Sequence, residues 1–213
     1  MERGFVVAIL GAESTGKTTL ATELGNALGV QGCSVVVVGE FLREFCDRKN
    51  RMPTKSEQAG IAAEQSRRID EAAGTAGIVI ADTTALMIAV YSETIFGDTS
   101  LYAAAVEAHR TCDLTLLTAL DIPWQADGYQ RDGPHVREPV DALIRSALHQ
   151  ARLPYAVVAG TGDKRLATAL QAVRHALDTP SKEDESRANP PWHWVCDRCG
   201  DTDCERHFLP KLA

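Results

Sequence analysis

The sequence predicts an α/β fold: a doubly wound, parallel five-stranded sheet with helices on both faces, followed by a short cysteine-rich C-terminal tail. Short apolar runs alternate with amphipathic segments as far as Val173, the rhythm of strands joined by crossover helices. The runs themselves are almost wholly apolar, as strands buried on both faces of a sheet must be. Beyond Leu177 the turn-forming pair Thr179-Pro180 opens a polar stretch in which the alternation stops.

Taken in order, strands are expected over residues 5–10, 34–38, 78–81, 114–118 and 155–158. Between them lie a helix over 17–28, a broken helical region over 41–73, helices over 85–95 and 101–109, one over 139–152, and a last one over 164–177. Residues 121–138 interrupt the rhythm. Pro123, Gly128, Gly133 and Pro134 oppose a regular helix there, and Arg131, Asp132, Arg137 and Glu138 make the segment a charged flap after a central strand. The expected organisation is one domain over residues 1–178, a linker over 179–191 and a Cys/His-rich tail over 192–213.

Composition narrows the function classes. Hydrophobic residues make up 45% of the chain and charged residues 24%, an ordinary balance for a soluble globular protein. No apolar run approaches the roughly 20 residues of a membrane-spanning helix, and the first, at 5–10, lacks the cleavage site of a signal peptide. A cytoplasmic protein with no membrane partner is the expectation. The formal net charge of -7 argues against a broad nucleic-acid footprint, whereas a small anionic ligand needs only a local basic site. No feature of the sequence sets an oligomeric state.

Gly11-Ala12-Glu13-Ser14-Thr15-Gly16-Lys17-Thr18 fits the phosphate-binding pattern G-x-x-x-x-G-K-[ST], with an apolar run before it and a helix-forming segment from Thr19 after it. Glycines let the backbone curl so that successive N–H groups face phosphate oxygens, and the helix start adds its positive dipole end. Lys17 is then expected at the β- and γ-phosphates of ATP, and the Thr18 hydroxyl in a Mg²⁺ shell. The fold is accordingly expected to be a P-loop kinase sheet. Nucleotide contacts are assigned to Gly11, Glu13, Ser14, Thr15, Gly16, Lys17, Thr18 and Thr19.

The third strand ends in Asp82, where a carboxylate can serve Mg²⁺ or take a proton from an acceptor, or else cap the helix that follows. The second strand ends at Gly39-Glu40. In a parallel sheet the carboxyl ends of the strands line one crevice, so Glu40 and Asp82 are expected to converge on the phosphate loop. Glu40 is the candidate base; its plainer alternative is a surface carboxylate paired with Arg43 one turn on. Arg131 and Arg137 of the flap are candidates for neutralising the transferring phosphoryl group, or for pairing with nearby aspartates in a solvated loop. Catalysis is thus assigned to Lys17, Glu40, Asp82 and Arg131, and acceptor binding to Glu40, Arg43, Asp82 and Arg137. The Gly160-Thr161-Gly162 loop is a guess at the adenine contact.

In the tail, Cys196, Cys199, Cys204 and His207 crowd four zinc-type ligands into twelve residues, with His193 a competing fourth ligand. The alternative is a tail of free thiols held by Trp192, Trp194 and Phe208.

Four segments together, Gly11–Thr18, Glu40-Phe41-x-Arg43-Glu44-Phe45, Asp82-Thr83-Thr84 and Trp124-x-x-Asp127-Gly128-x-x-Arg131, resemble the ribosylnicotinamide kinase domain of the bacterial multifunctional NAD-biosynthesis regulator family. The resemblance runs in order from about Phe5 to Val173. It implies a doubly wound P-loop kinase that uses ATP and Mg²⁺ to phosphorylate the 5′-hydroxyl of nicotinamide riboside. It also implies that Glu40, Arg43 and Asp82 face the acceptor and that Arg131 belongs to a lid. Those multifunctional proteins carry an adenylyltransferase domain ahead of the kinase, whereas this chain starts at the kinase strand, so dinucleotide synthesis is not expected. The family pattern has no counterpart of the cysteine-rich tail. Two other functions stay open: a kinase of another nucleoside or nucleotide, and a nucleotide-dependent switch that acts through the tail.

Overall fold

In the computed structural model, which describes residues 3–125 and 133–178, the strands are β1 (Phe5–Leu10), β2 (Val35–Val38), β3 (Ile78–Asp82), β4 (Leu114–Thr118) and β5 (Ala156–Val158). They form one sheet in the order β2-β3-β1-β4-β5, every neighbouring pair parallel. The helices are α1 (Lys17–Val30), α2 (Phe41–Lys49), α3 (Lys55–Ala73), α4 (Ala85–Phe96), α5 (Tyr102–His109), α6 (Arg137–Gln150) and α7 (Gly162–Asp178). Among the described residues no helix is long and apolar enough to cross a membrane.

The pleat of β1 explains the two layers. Val7 and Ile9 point to one face, where they meet Leu20, Leu24 and Leu28 of α1 and Ala169 and Val173 of α7. Val6 points to the other face with Ile69 and Ala73 of α3, and Leu10 joins α4 and α6 there through Leu86, Val90 and Ile144. The first two turns of helix α4 are apolar on every side, and its residues from Ala85 to Ser92 are all buried, so it forms the heart of that second layer.

The expectation of strands buried on both faces holds for β1, β3 and β4 and fails at the sheet edges. Val36 and Val37 of β2 are 38% and 43% exposed, and Val157 of β5 is 45% exposed, because each edge strand has a neighbour on one side only. The broken helical region divides at Asn50, which ends α2 in the left-handed conformation (φ 52°), and α3 restarts on a capping box between Thr54 and Glu57. Helix α6 starts at Arg137, two residues before the expected Pro139, since a proline in the first turn has no backbone N–H to miss there. Arg137 therefore belongs to a helix and not to the flap loop. Flap residues 126–132, including Arg131, and the expected linker and zinc ligands Cys196, Cys199, Cys204 and His207 lie outside the described residues.

The strand order reverses direction on either side of β1, which places a crevice at the carboxyl ends of β1 and its neighbours. Residues 11–18, Gly39-Glu40, Asp82-Thr83 and the flap root 119–125 all leave the sheet at that end.

Candidate active site

The loop between β1 and α1 is held open from beneath. Thr15 Oγ1 donates to Ala12 O at 2.8 Å and lies 2.7 Å from Thr118 Oγ1, which in turn reaches Leu10 O at 3.2 Å. The final residue of β4 thereby staples the loop. Gly11 could not be replaced without disturbing it, since a Cβ would stand 1.9 Å from Thr118 Oγ1. Ser14 (φ 53°) and Gly16 (φ 74°) take left-handed conformations, the alternation that turns consecutive N–H groups into an anion nest ahead of α1. Lys17 reaches back across the loop, its ammonium donating to Ala12 O at 2.9 Å.

Asp82 sits below the loop, 2% exposed, and accepts the Thr18 hydroxyl at 2.6 Å. It does not cap α4. That task falls to Thr84, whose Oγ1 accepts from Leu86 N at 3.3 Å. Asp82 Oδ1 is buried with no hydrogen-bond partner among the described residues. An orphaned carboxylate oxygen beside a hydroxyl at the phosphate end of the loop is the donor set that a hard divalent cation takes, so Thr18 and Asp82 fit Mg²⁺.

A cavity of about 440 Å³ runs along the loop, with Ser14, Gly16, Lys17, Thr18 and Thr19 on one side and Ile122, Pro123, Thr161 and Gly162 on the other. Thr161 and Gly162 of the 160–162 loop thus line this cavity. Arg165 anchors this end. Only 4% exposed, it donates to Thr15 O and to Gly160 O, and its guanidinium lies 3.6 Å from Asp121, which accepts the Gly160 N–H. Burial holds its pKa below the usual arginine value.

A second, narrow recess of about 30 Å³ opens beside the first, walled by Glu13, Glu40, Tyr91 and Trp124, and shares Ser14, Lys17, Arg43 and Gln125 with it. Glu40 ends the β2 turn at the N-cap of α2, yet its side chain makes no capping bond. It pairs with Arg43 at 3.7 Å, so the i,i+3 pair is present, but the carboxylate is only 10% exposed and lines the recess while the Arg43 side chain is about half exposed. In the same segment Phe41 and Glu44 serve packing, since Arg68 of α3 lies 4.4 Å over the Phe41 ring and bonds the Glu44 carboxylate at 2.8 Å. Burial first, then the charges of Glu13 and Glu40, partly offset by Arg43, push the Tyr91 hydroxyl well above the ordinary tyrosine pKa.

The structure therefore brings Gly11, Glu13, Ser14, Thr15, Gly16, Lys17, Thr18, Thr19, Glu40, Arg43 and Asp82 to one crevice. Arg137 stands at its margin, 7% exposed, donating to Ile122 O at 2.9 Å at the root of the flap. Tyr91, Asp121 and Arg165 were not singled out from sequence. Tyr91 looks like one more apolar position of a buried helix, and Arg165 like one more cation of the last helix.

Fold and loop together define a P-loop nucleotide-binding protein with a kinase-like sheet. The chain belongs to the AAA domain family, which matches residues 6–165. It is similar in fold to a NadR protein solved in complex with NAD and AMP-PNP, with a TM-score of 0.67 and 19% identity over 84% of this chain and 51% of that one. A NadR protein in complex with NR gives a TM-score of 0.69 and 20% identity over 83% of this chain and 52% of that one. The chain spans about half the length of these structures. No curated protein matches it in sequence.

Proposed function

We propose that the chain is an ATP-dependent kinase that phosphorylates the 5′-hydroxyl of nicotinamide riboside to the mononucleotide, in the cytoplasm. The observation that carries this reading is the pair of adjoining cavities sharing Ser14, Lys17, Arg43 and Gln125. One fits a nucleotide triphosphate. The other gathers the carboxylates Glu13 and Glu40, the cations Lys17 and Arg43 and two aromatic rings, Tyr91 and Trp124, and those rings suit a planar ring such as nicotinamide. At about 30 Å³ the recess is smaller than a riboside, so this reading requires its walls, Trp124 and Gln125 among them, to open. Gln125 is tied to the loop through its backbone N–H, which donates to Ser14 Oγ at 2.8 Å. The NadR structures, one with NR and one with NAD and AMP-PNP, support the same ligand classes.

In this reading the loop N–H groups and the Lys17 ammonium compensate phosphate charge, and Glu40 takes the proton of the acceptor hydroxyl. Thr18 and Asp82 would hold Mg²⁺, which when bound neutralises charge on the transferring group. Arg43 and Arg137 orient the acceptor side, and Arg131 is assigned to the lid. For the tail, the spacing of Cys196, Cys199, Cys204 and His207 supports a structural zinc.

A coupled assay of ADP formation against a panel of nucleosides tests the function. Turnover that depends on nicotinamide riboside and exceeds turnover on uridine, cytidine and adenosine is expected. A preference for another nucleoside would replace the acceptor, and tight ATP binding without acceptor-dependent turnover would replace the enzyme with a switch.

A further inference from the structure

Gln65 lies in the middle of α3, far in sequence from every motif, and is completely buried. Its Oε1 accepts the Phe41 N–H at 2.8 Å. Its Nε2 donates to Gly39 O at 3.3 Å and to Thr83 O at 3.4 Å. The orientation of the amide is forced, since a backbone N–H can meet only the oxygen and two carbonyls can meet only the NH₂ group. One side chain therefore grips the backbone on both sides of Glu40 and also the residue after Asp82. Thr83 is itself held in the left-handed region (φ 72°), which a β-branched residue enters only under constraint from its surroundings.

We propose that Gln65 is a positioning residue that locks the β2–α2 and β3–α4 turns together and so fixes the Glu40 and Asp82 carboxylates relative to each other. The inference rests on the kinase reading for its catalytic consequence, though not for the clamp itself. Leucine at this position keeps the bulk and removes all three bonds. Glutamate keeps the acceptor for Phe41 but turns a charged oxygen toward two carbonyls unless it is protonated, and protonated it again donates to one of them.

Two measurements on the full chain decide the matter. In amide exchange, Gln65→Leu should quicken exchange at Phe41 and at residues 82–84 together, with the phosphate loop unchanged. A change confined to residues 39–41, or none, would overturn the clamp whatever the protein catalyses. In steady-state kinetics with ATP and nicotinamide riboside, Gln65→Leu should lower kcat by about 10- to 100-fold with the KM for ATP within about threefold, as expected when reacting groups are displaced by a fraction of an ångström to an ångström. The ratio of Gln65→Glu to wild-type kcat should climb as pH falls from 8.5 to 6, when the new carboxyl takes up its proton. Wild-type kcat in a folded Gln65→Leu protein, or a Gln65→Glu ratio flat in pH, would reduce Gln65 to packing. A wild-type protein inactive on every nucleoside would instead refute the kinase reading and leave the exchange result standing.

Discussion

Among the described residues Lys17 hydrogen-bonds Ala12 O alone, and it lines the loop cavity, so its removal should touch chemistry far more than folding. Lys17→Ala is expected to cut kcat/KM at least about 100-fold, the scale of a lost charge contact in the transition state, while the thermal midpoint stays within a few degrees. Wild-type turnover by folded Lys17→Ala protein would end the kinase assignment. Glu40 and Asp82 should separate kinetically. Glu40→Gln preserves ATP binding and depresses kcat, because an amide cannot accept the proton; Asp82→Asn raises the Mg²⁺ concentration needed for half-maximal rate. Interchangeable defects in a Mg²⁺ titration would refute the division of labour. At this scale the phosphate loop, Asp82 and Glu40 were legible because their positions follow from a spacing pattern and from strand ends. Gln65 and Arg165 were not, because their partners are backbone groups 24 and 150 residues away that only the folded chain brings near.

Among the elements, the junction of α4, α5 and β4 carries a pH dependence of its own. His109, the last residue of α5, is buried between Thr84 Oγ1 and Thr115 Oγ1, each 2.9 Å from a ring nitrogen, and burial lowers its pKa from 6.5 to about 4. The folded state prefers the neutral ring and the unfolded state binds the proton first. Its stabilising effect is complete above pH 6.5 and is lost as pH falls toward 4, amounting to about 2 kcal/mol by pH 5. Urea unfolding at pH 7.5 and 5.0 should show a larger acid penalty for the wild type than for His109→Gln; equal penalties would assign the acid sensitivity elsewhere. Element types were readable from period and composition, whereas several ends were not. The exposed valines of β2 and β5 read like those of a central strand, since sheet order is invisible in a local apolar run.

For the molecule as a whole, the described residues account for the sheet and the crevice, and the tail motif stands apart from both in sequence. If Cys196, Cys199, Cys204 and His207 close a tetrahedral site, purified protein should carry about one zinc per chain. A chelator should then remove it while leaving the main thermal transition and most of the phosphoryl transfer in place. Metal-free protein with all three of these thiols reactive would reduce the segment to a clasp of aromatic side chains.

The central place of β1 also has a bearing on biogenesis. Its two sheet neighbours are β3 and β4, with Phe5 opposite Ile78 and Val7 opposite Leu114. A ribosome adding about 5–20 residues per second needs roughly 4–14 s to deliver β3 after β1, and longer for β4. Through that interval an apolar hexapeptide waits for its sheet neighbours, because among the described residues β2 pairs with β3 and not with β1. The strand that aims the phosphate loop is thus the one most in need of chaperone cover in the nascent chain, and slow translation ahead of Ile78 should lengthen its exposure.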